Sequence, residues 1–115
     1  KESRFIEQVM VIGEFRKFPA ALIVPDFIYV KQWCHRKGIN FTTNEDMSRN
    51  EAVIERIAKE VEKGNRNLSP YEMIKKFELI PSCWTVDNSE LTPKLSLRRK
   101  VISEKYKDLV EKIYS

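Results

Sequence analysis

Lys94, Ser96, Arg98, Arg99 and Lys100 stand together near the end of this 115-residue chain, in the stretch TPKLSLRRK. These side chains suit an anion: a lysine is a mobile point charge, and arginines grip phosphate or carboxylate through paired N–H groups. Lys94-Leu95-Ser96-Leu97 alternates polar with apolar, the pattern of an extended segment with one face buried. Lys94 and Ser96 are then expected to point the same way, ~7 Å apart along the backbone. The alternative is that basic residues flanking a helix are solvated surface. Arg16 and Lys17 form a second basic pair, between Phe15 and Phe18. At a hairpin tip they would touch a ligand or a second domain, or else protect a sheet edge by charge.

Charge is distributed unevenly. The net charge is +4, yet residues 91–115 carry seven Lys or Arg against three Asp or Glu, while residues 1–90 carry fourteen of each. An anionic partner, if there is one, therefore belongs to the closing segment. Other chemistry finds little support. The chain has no Ser/His/Asp set and no paired carboxylates, and its three glycines cannot build a phosphate cradle. Cys34, Cys83 and the single His35 lack metal-ligand spacing, so no metal site is expected. Free thiols in a reducing cytoplasm are the expected state of the cysteines. No apolar run approaches the ~20 residues of a membrane-spanning helix. The start KESRFIEQ resembles neither a signal nor a transit peptide. Lacking an initiator Met, the chain reads as a single domain cut from a longer protein.

The elements that must position the basic residues follow from periodicity. Residues 1–7 read as the tail of a helix. QVMVIG (8–13) and AALIVP (20–25) are continuous apolar runs, expected as buried strands of an antiparallel hairpin joined through EFRKFP. Asp26 caps a helix carrying Phe27, Val30 and Cys34 and stopped by Gly38. Within that helix Trp33 is expected to pack and His35 to be exposed. NFTTNEDMSRN holds at most one helical turn. Asn50 caps a second helix, with Val53, Ile54, Ile57, Ala58 and Val61 on one stripe and Gly64 at its end. Ser69-Pro70-Tyr71-Glu72 is a capping box that predicts a short helix. KFELIP (76–81) is strand-like, and WTV (84–86) with ELT (90–92) predicts a small hairpin anchored by Trp84. Ile102, Tyr106, Leu109 and Ile113 predict one amphipathic terminal helix. The expected class is α+β: a small antiparallel sheet with hairpins, packed with three to four helices.

The order of motifs goes further. FIEQVMVIGEFRKFPAALIVPDF, then NLSPYEMIKKFELIP, then ELTPKLSLRRKVISEKYKDLVEKIY resembles the C-terminal domain of AMP-forming long-chain fatty-acid–CoA ligases, members of the adenylate-forming superfamily. The resemblance runs through nearly the whole chain. It implies a mobile lid hinged to a larger N-terminal adenylation domain that precedes Lys1 and binds ATP, with its Mg2+, and the fatty acid. The lid closes for acyl-adenylate formation, then rotates so that CoA attacks and AMP leaves. Long-chain members usually read like TPTLKLKRK, which places the customary catalytic lysine on Ser96 of this chain. Ser96 cannot supply that charge, so Lys94 is the candidate catalytic residue. Arg98, Arg99, Lys100, Arg16 and Lys17 are candidate phosphate contacts, to CoA or pyrophosphate, with interdomain salt bridges or plain solvation as the alternative. By itself the chain is expected to bind no cofactor and to be inactive.

Two other functions stay open at this level. One is a basic module for nucleic acid or anionic lipid, which the interleaved Glu104, Asp108 and Glu111 disfavour. The other is the lid of a homologue that has lost ligase activity, favoured by Ser96. A cytoplasmic location, with peripheral membrane contact as an option and no nucleic-acid partner, accompanies the ligase reading.

Overall fold

The structure is a computed structural model that describes residues 3–115. Its centre is the run AALIVP, which forms β2 (Ala20–Pro25), buried along its whole length. A strand can be apolar at every position only when both of its faces are covered. Ala20, Leu22 and Val24 join one core with Met10, Ile80, Trp84, Ile102 and Ile113. Ala21 and Ile23 join a second core with Phe5, Val30, Cys34, Met47, Val53 and Ile57 on the opposite face. The result is a three-layer arrangement around a thin sheet.

The sheet has three strands in the order β1-β2-β3. β1 (Ile6–Ile12) pairs antiparallel with β2, as the hairpin pattern predicts, and β3 (Lys76–Leu79) pairs parallel. The sheet is therefore mixed rather than antiparallel throughout, while the α+β class holds. β1 is an edge strand and not a buried one: only Met10 is buried, and Val9 and Val11 stay exposed. The expected helical tail over 1–7 does not form within the described part. Arg4 and Phe5 lie in a turn and Ile6 begins β1; Lys1 and Glu2 lie outside the described residues.

Helices α1 (Phe27–Lys37), α2 (Asn44–Arg49) and α3 (Glu51–Asn65) cover one face. Asp26 caps α1 through the Tyr29 N–H, and Gly38, at φ 72°, closes it in the left-handed region that glycine enters without penalty. Trp33 packs edge-on against Phe5, and His35 is exposed. The 40–50 link holds a full short helix, α2, capped by Thr43, where one turn at most is expected. Asn50 caps α3 as expected, but α3 runs through Gly64 to Asn65, since nothing there requires a left-handed residue. The Ser69–Glu72 box forms only in part: Ser69 N–H and Oγ both donate to Glu72 Oε1, while the Glu72 N–H donates to Ser69 C=O and not to the hydroxyl. No helix follows it, only turns. The terminal helix is two: α4 (Arg99–Lys105) and α5 (Lys107–Tyr114), broken at Tyr106 with φ −109° and ψ 28°. Among the described residues five helices thus stand where three to four are expected. Ile102 and Ile113 both reach the same core.

Candidate functional site

The 84–98 segment departs most from expectation, and it carries the candidate residues. WTV and ELT build no strand ladder, although the Glu90 and Leu91 N–H groups both donate to Thr85 C=O. Instead Leu91 bridges Leu97 antiparallel, and Arg98 N–H donates to Glu90 C=O at 2.9 Å. The partner of 90–92 is thus 96–98, across a loop of Pro93, Lys94 and Leu95. Leu95 N–H donates to Thr92 C=O (2.7 Å), Thr92 N–H to Ser96 C=O (2.9 Å) and Ser96 N–H to Thr92 Oγ1 (3.1 Å). Leu95 sits at φ 67°. A turn followed by a left-handed residue is a common three-residue hairpin loop. Leucine is an unusual occupant, because a Cβ disfavours that region.

This geometry corrects the expectation of an extended 93–97 segment. The chain reverses at Leu95, so Lys94 and Ser96 do not share a face by alternation. Both remain exposed, Lys94 in the loop and Ser96 where the return strand begins. Arg98, Arg99 and Lys100 are also exposed, at the start of α4. The hairpin and helix start therefore present the cations outward. None is locked inside the domain.

The second basic pair behaves differently. Gly13 opens the β1–β2 loop at φ 154°, where an added Cβ would lie 3.0 Å from Pro19 Cα. Phe15 is 98% exposed. Arg16 stacks over the Tyr114 ring at 4.8 Å and lies 3.9 Å from Glu111 Oε2. Tyr114 Oη in turn donates to Phe18 C=O at 2.7 Å. Arg16 is thus held by α5, and Lys17 is exposed beside it. Arg99 Nη2 donates to Val11 C=O on the edge of β1. An open cleft between this loop and α4–α5 brings Arg16, Arg99, Lys100 and Lys107 together, with Glu14, Glu104 and Glu111 among its walls. Lys17, Lys94 and Arg98 do not line it. Three of the six candidate cations therefore share this cleft, while Lys17 stands in the β1–β2 loop and Lys94 and Arg98 on the hairpin.

The residue that sequence reasoning missed is Glu90. It is 1% exposed. Its Oε1 accepts from Thr85 N–H at 3.1 Å and its Oε2 from Lys105 Nζ at 2.8 Å. Its own N–H donates to Thr85 C=O. The hydrogen bond to Glu90 holds the Lys105 ammonium above its ordinary pKa, because that contact favours the charged form. Burial raises neighbouring Tyr106 as well. Trp84 anchors this region as expected, buried and gripped by Gln8. The Gln8 Oε1 accepts from Trp84 N–H at 2.7 Å and its Nε2 donates to Trp84 C=O at 3.0 Å. The only sequence sign of Glu90's role is an acidic residue between a turn and an apolar strand. That sign is weak.

Both cysteines are free, Cys34 buried and Cys83 exposed. Among the described residues no cluster of His, Cys, Asp and Glu is arranged to hold a metal ion, and no helix is long and apolar enough to cross a membrane.

The family model described as AMP-binding enzyme C-terminal domain matches residues 1–115. FadD15, a long-chain-fatty-acid–CoA ligase of Mycobacterium tuberculosis, is 32% identical over 111 residues, which is 96% of this chain and 18% of that protein. Long-chain-fatty-acid–CoA ligase 1 of Homo sapiens is 27% identical over 113 residues, 96% of this chain and 16% of its own length. The chain thus spans less than a fifth of the relatives it matches. Among solved structures, the adenylation domain of a carboxylate reductase from Mycobacterium chelonae superposes with a TM-score of 0.74 at 19% identity, covering 96% of this chain and 16% of that one. That likeness is one of fold.

Proposed function

Since the chain belongs to the family of AMP-binding enzyme C-terminal domains, we propose that it is the mobile lid of an AMP-forming long-chain fatty-acid–CoA ligase. A larger adenylation domain supplies the sites for ATP with its Mg2+ and for the fatty acid. Adenylation brings a carboxylate against a triphosphate, so negative charge must be neutralised as the acyl–phosphate bond forms and pyrophosphate leaves. A cation carried in on a rigid hairpin stabilises that charge where water is scarce. Lys94, in the exposed loop, is the residue proposed to do this. The lid then withdraws it, and CoA attacks the acyl-adenylate, releasing AMP. Arg98, Arg99 and Lys100, with Arg16 and Lys17, are proposed to meet phosphate groups of CoA or pyrophosphate.

The observation that carries this reading is the outward-facing hairpin 90–98, with a lysine in its loop and three exposed cations directly behind it. Lys94, Arg98 and Lys100 make no ion pair among the described residues. The terminal helix, by contrast, spends much of its charge internally, in Arg16–Glu111 and Lys112–Glu78 pairs. That disfavours a basic docking helix for nucleic acid. Exposed Phe15 and Leu95 beside cations support peripheral contact with an anionic bilayer, from which a cytoplasmic ligase would draw its fatty acid.

The test is the full-length protein incubated with ATP, Mg2+, CoA and long-chain fatty acids. Pyrophosphate release and acyl-CoA formation are expected, and both are expected to vanish when residues 90–115 are removed. Ser96 supports a second reading, a lid whose protein no longer ligates. Acyl binding without pyrophosphate release would favour it over the first.

A further inference from the structure

We propose that Glu90 is a positioning residue for adenylation, tying the Lys94 hairpin to helix α4 so that both swing as one body; this rests on the lid reading above. The hairpin's own bonds fix its shape but not its direction. Direction is set at its root, where the main chain of Glu90 meets Arg98 on one side and Thr85 on the other. The carboxylate then adds what a main chain cannot, a link to α4 through Lys105 at 2.8 Å and to the preceding turn through Thr85 N–H at 3.1 Å.

Burial makes the arrangement demanding. A carboxylate that is 1% exposed gains nothing from water, so its charge must be met by the groups that face it. Those groups are Lys105, the Thr85 amide and the hydroxyl of Tyr106, all on elements that flank the hairpin. An apolar side chain would fill the same space at no electrostatic cost, yet it would leave hairpin and helix free to shift against each other. Lys94 is four residues from this root, and its exposed side chain makes no ion pair among the described residues. A small rotation at Glu90 therefore becomes a displacement at the loop. A misplacement of about 1 Å in a reacting group costs about 10²-fold in rate.

The experiment uses the full-length protein with Glu90→Gln, Lys105→Met, their double variant and Lys105→Arg. Glu90→Gln keeps an acceptor for Thr85 but loses the charge. Adenylation, read as pyrophosphate release, is expected to slow roughly tenfold to 10²-fold in either single variant. The double variant is expected to be no slower than the worse single one, and Lys105→Arg is expected to restore the rate. Thioester formation from preformed acyl-adenylate is expected to keep its rate, which a general loss of structure would not allow. Hydrogen exchange in residues 90–98 is expected to quicken in both single variants. Unchanged exchange there overturns the clamp, as does equal slowing of both half-reactions. Should Glu90→Gln fail to fold, Lys105→Met, at a half-exposed position, decides by the same readouts. A wild-type protein that makes no acyl-adenylate defeats the lid reading, while the exchange measurement still decides for or against Glu90.

Discussion

Replacing Lys94 by alanine separates the charge a lid delivers from the fold that delivers it. Lys94 is exposed, and the bonds that shape its loop belong to Thr92, Leu95 and Ser96. Truncation therefore removes a charge and leaves the hairpin standing, so the change in stability is expected to stay within about 0.5 kcal/mol. The effect on chemistry is larger. A single well-placed donor at developing charge is worth about 3 kcal/mol in a site that excludes water, which is about 10²-fold in rate. Rapid mixing of the full-length protein with ATP and fatty acid, followed by pyrophosphate release, reads the first half-reaction. Mixing preformed acyl-adenylate with CoA reads the second. Lys94→Ala is expected to slow the first about 10²-fold and to spare the second. Adding Ser96→Lys tests the cause. The bonds made at position 96 are main-chain ones, so a lysine there fits, and recovery of adenylation identifies missing charge rather than a displaced loop. Equal slowing of both half-reactions by Lys94→Ala, or no slowing of either, refutes the role given to Lys94.

Other outcomes follow from contacts away from the hairpin. Glu60 is nearly buried; burial alone would raise its pKa, but hydrogen bonds from Ser3 and Arg56 and the charges of Arg56 and Lys63 outweigh that and lower it. Its contribution to stability is therefore present above the ordinary glutamate value of 4.5 and lost as pH falls through the lowered folded value; urea titrations at pH values across that interval should show a steeper loss in wild type than in Glu60→Gln. Asn50 accepts from the Ala52 and Val53 amides at the start of α3, so Asn50→Ala should lower unfolding stability by about 1 kcal/mol. Tyr114→Phe removes the bond to Phe18 C=O but keeps the ring under Arg16; a loss of about 1 kcal/mol in urea unfolding is expected, against more for Tyr114→Ala.

What could be read in advance was what neighbours in sequence decide. Asp26 and Asn50 cap helices by reaching amides only two or three residues on, and AALIVP declares a two-sided strand by composition. The box at Ser69 shows the limit of local reading: the Glu72 carboxylate reaches back to Ser69, yet the Glu72 amide turns to the Ser69 carbonyl and the residues after it stay in turns. Strand direction is not a local property, so nothing in KFEL says that it will lie parallel to β2. The left-handed Leu95 was hidden for a related reason. A glycine or asparagine announces such a turn, whereas leucine takes it only because the pairing of 90–92 with 96–98 leaves no other way to close the loop. Glu90 looked like any surface acid until Lys105, a full helix away, was seen to face it.

The uneven charge of the closing segment now divides by role. Lys105 is spent on Glu90 and Lys112 on Glu78, while Arg99 is bonded to the carbonyl of Val11 on the sheet edge. These contacts tie α4 to the hairpin and to β1, and α5 to β3. Lys94, Arg98 and Lys100 have no ion-pair partner among the described residues. They project from the domain at the hairpin and at the start of α4. Bound cations stiffen the lever and unbound ones arm it. A lid that must carry charge into a crowded anionic site, and later carry it out, needs both. Neutralising Arg98 and Lys100 together should therefore weaken phosphate-dependent steps of the full-length protein and leave the unfolding midpoint unmoved, whereas neutralising Lys105 should shift both. If the two pairs of measurements move in parallel, the division between lever and cargo is wrong.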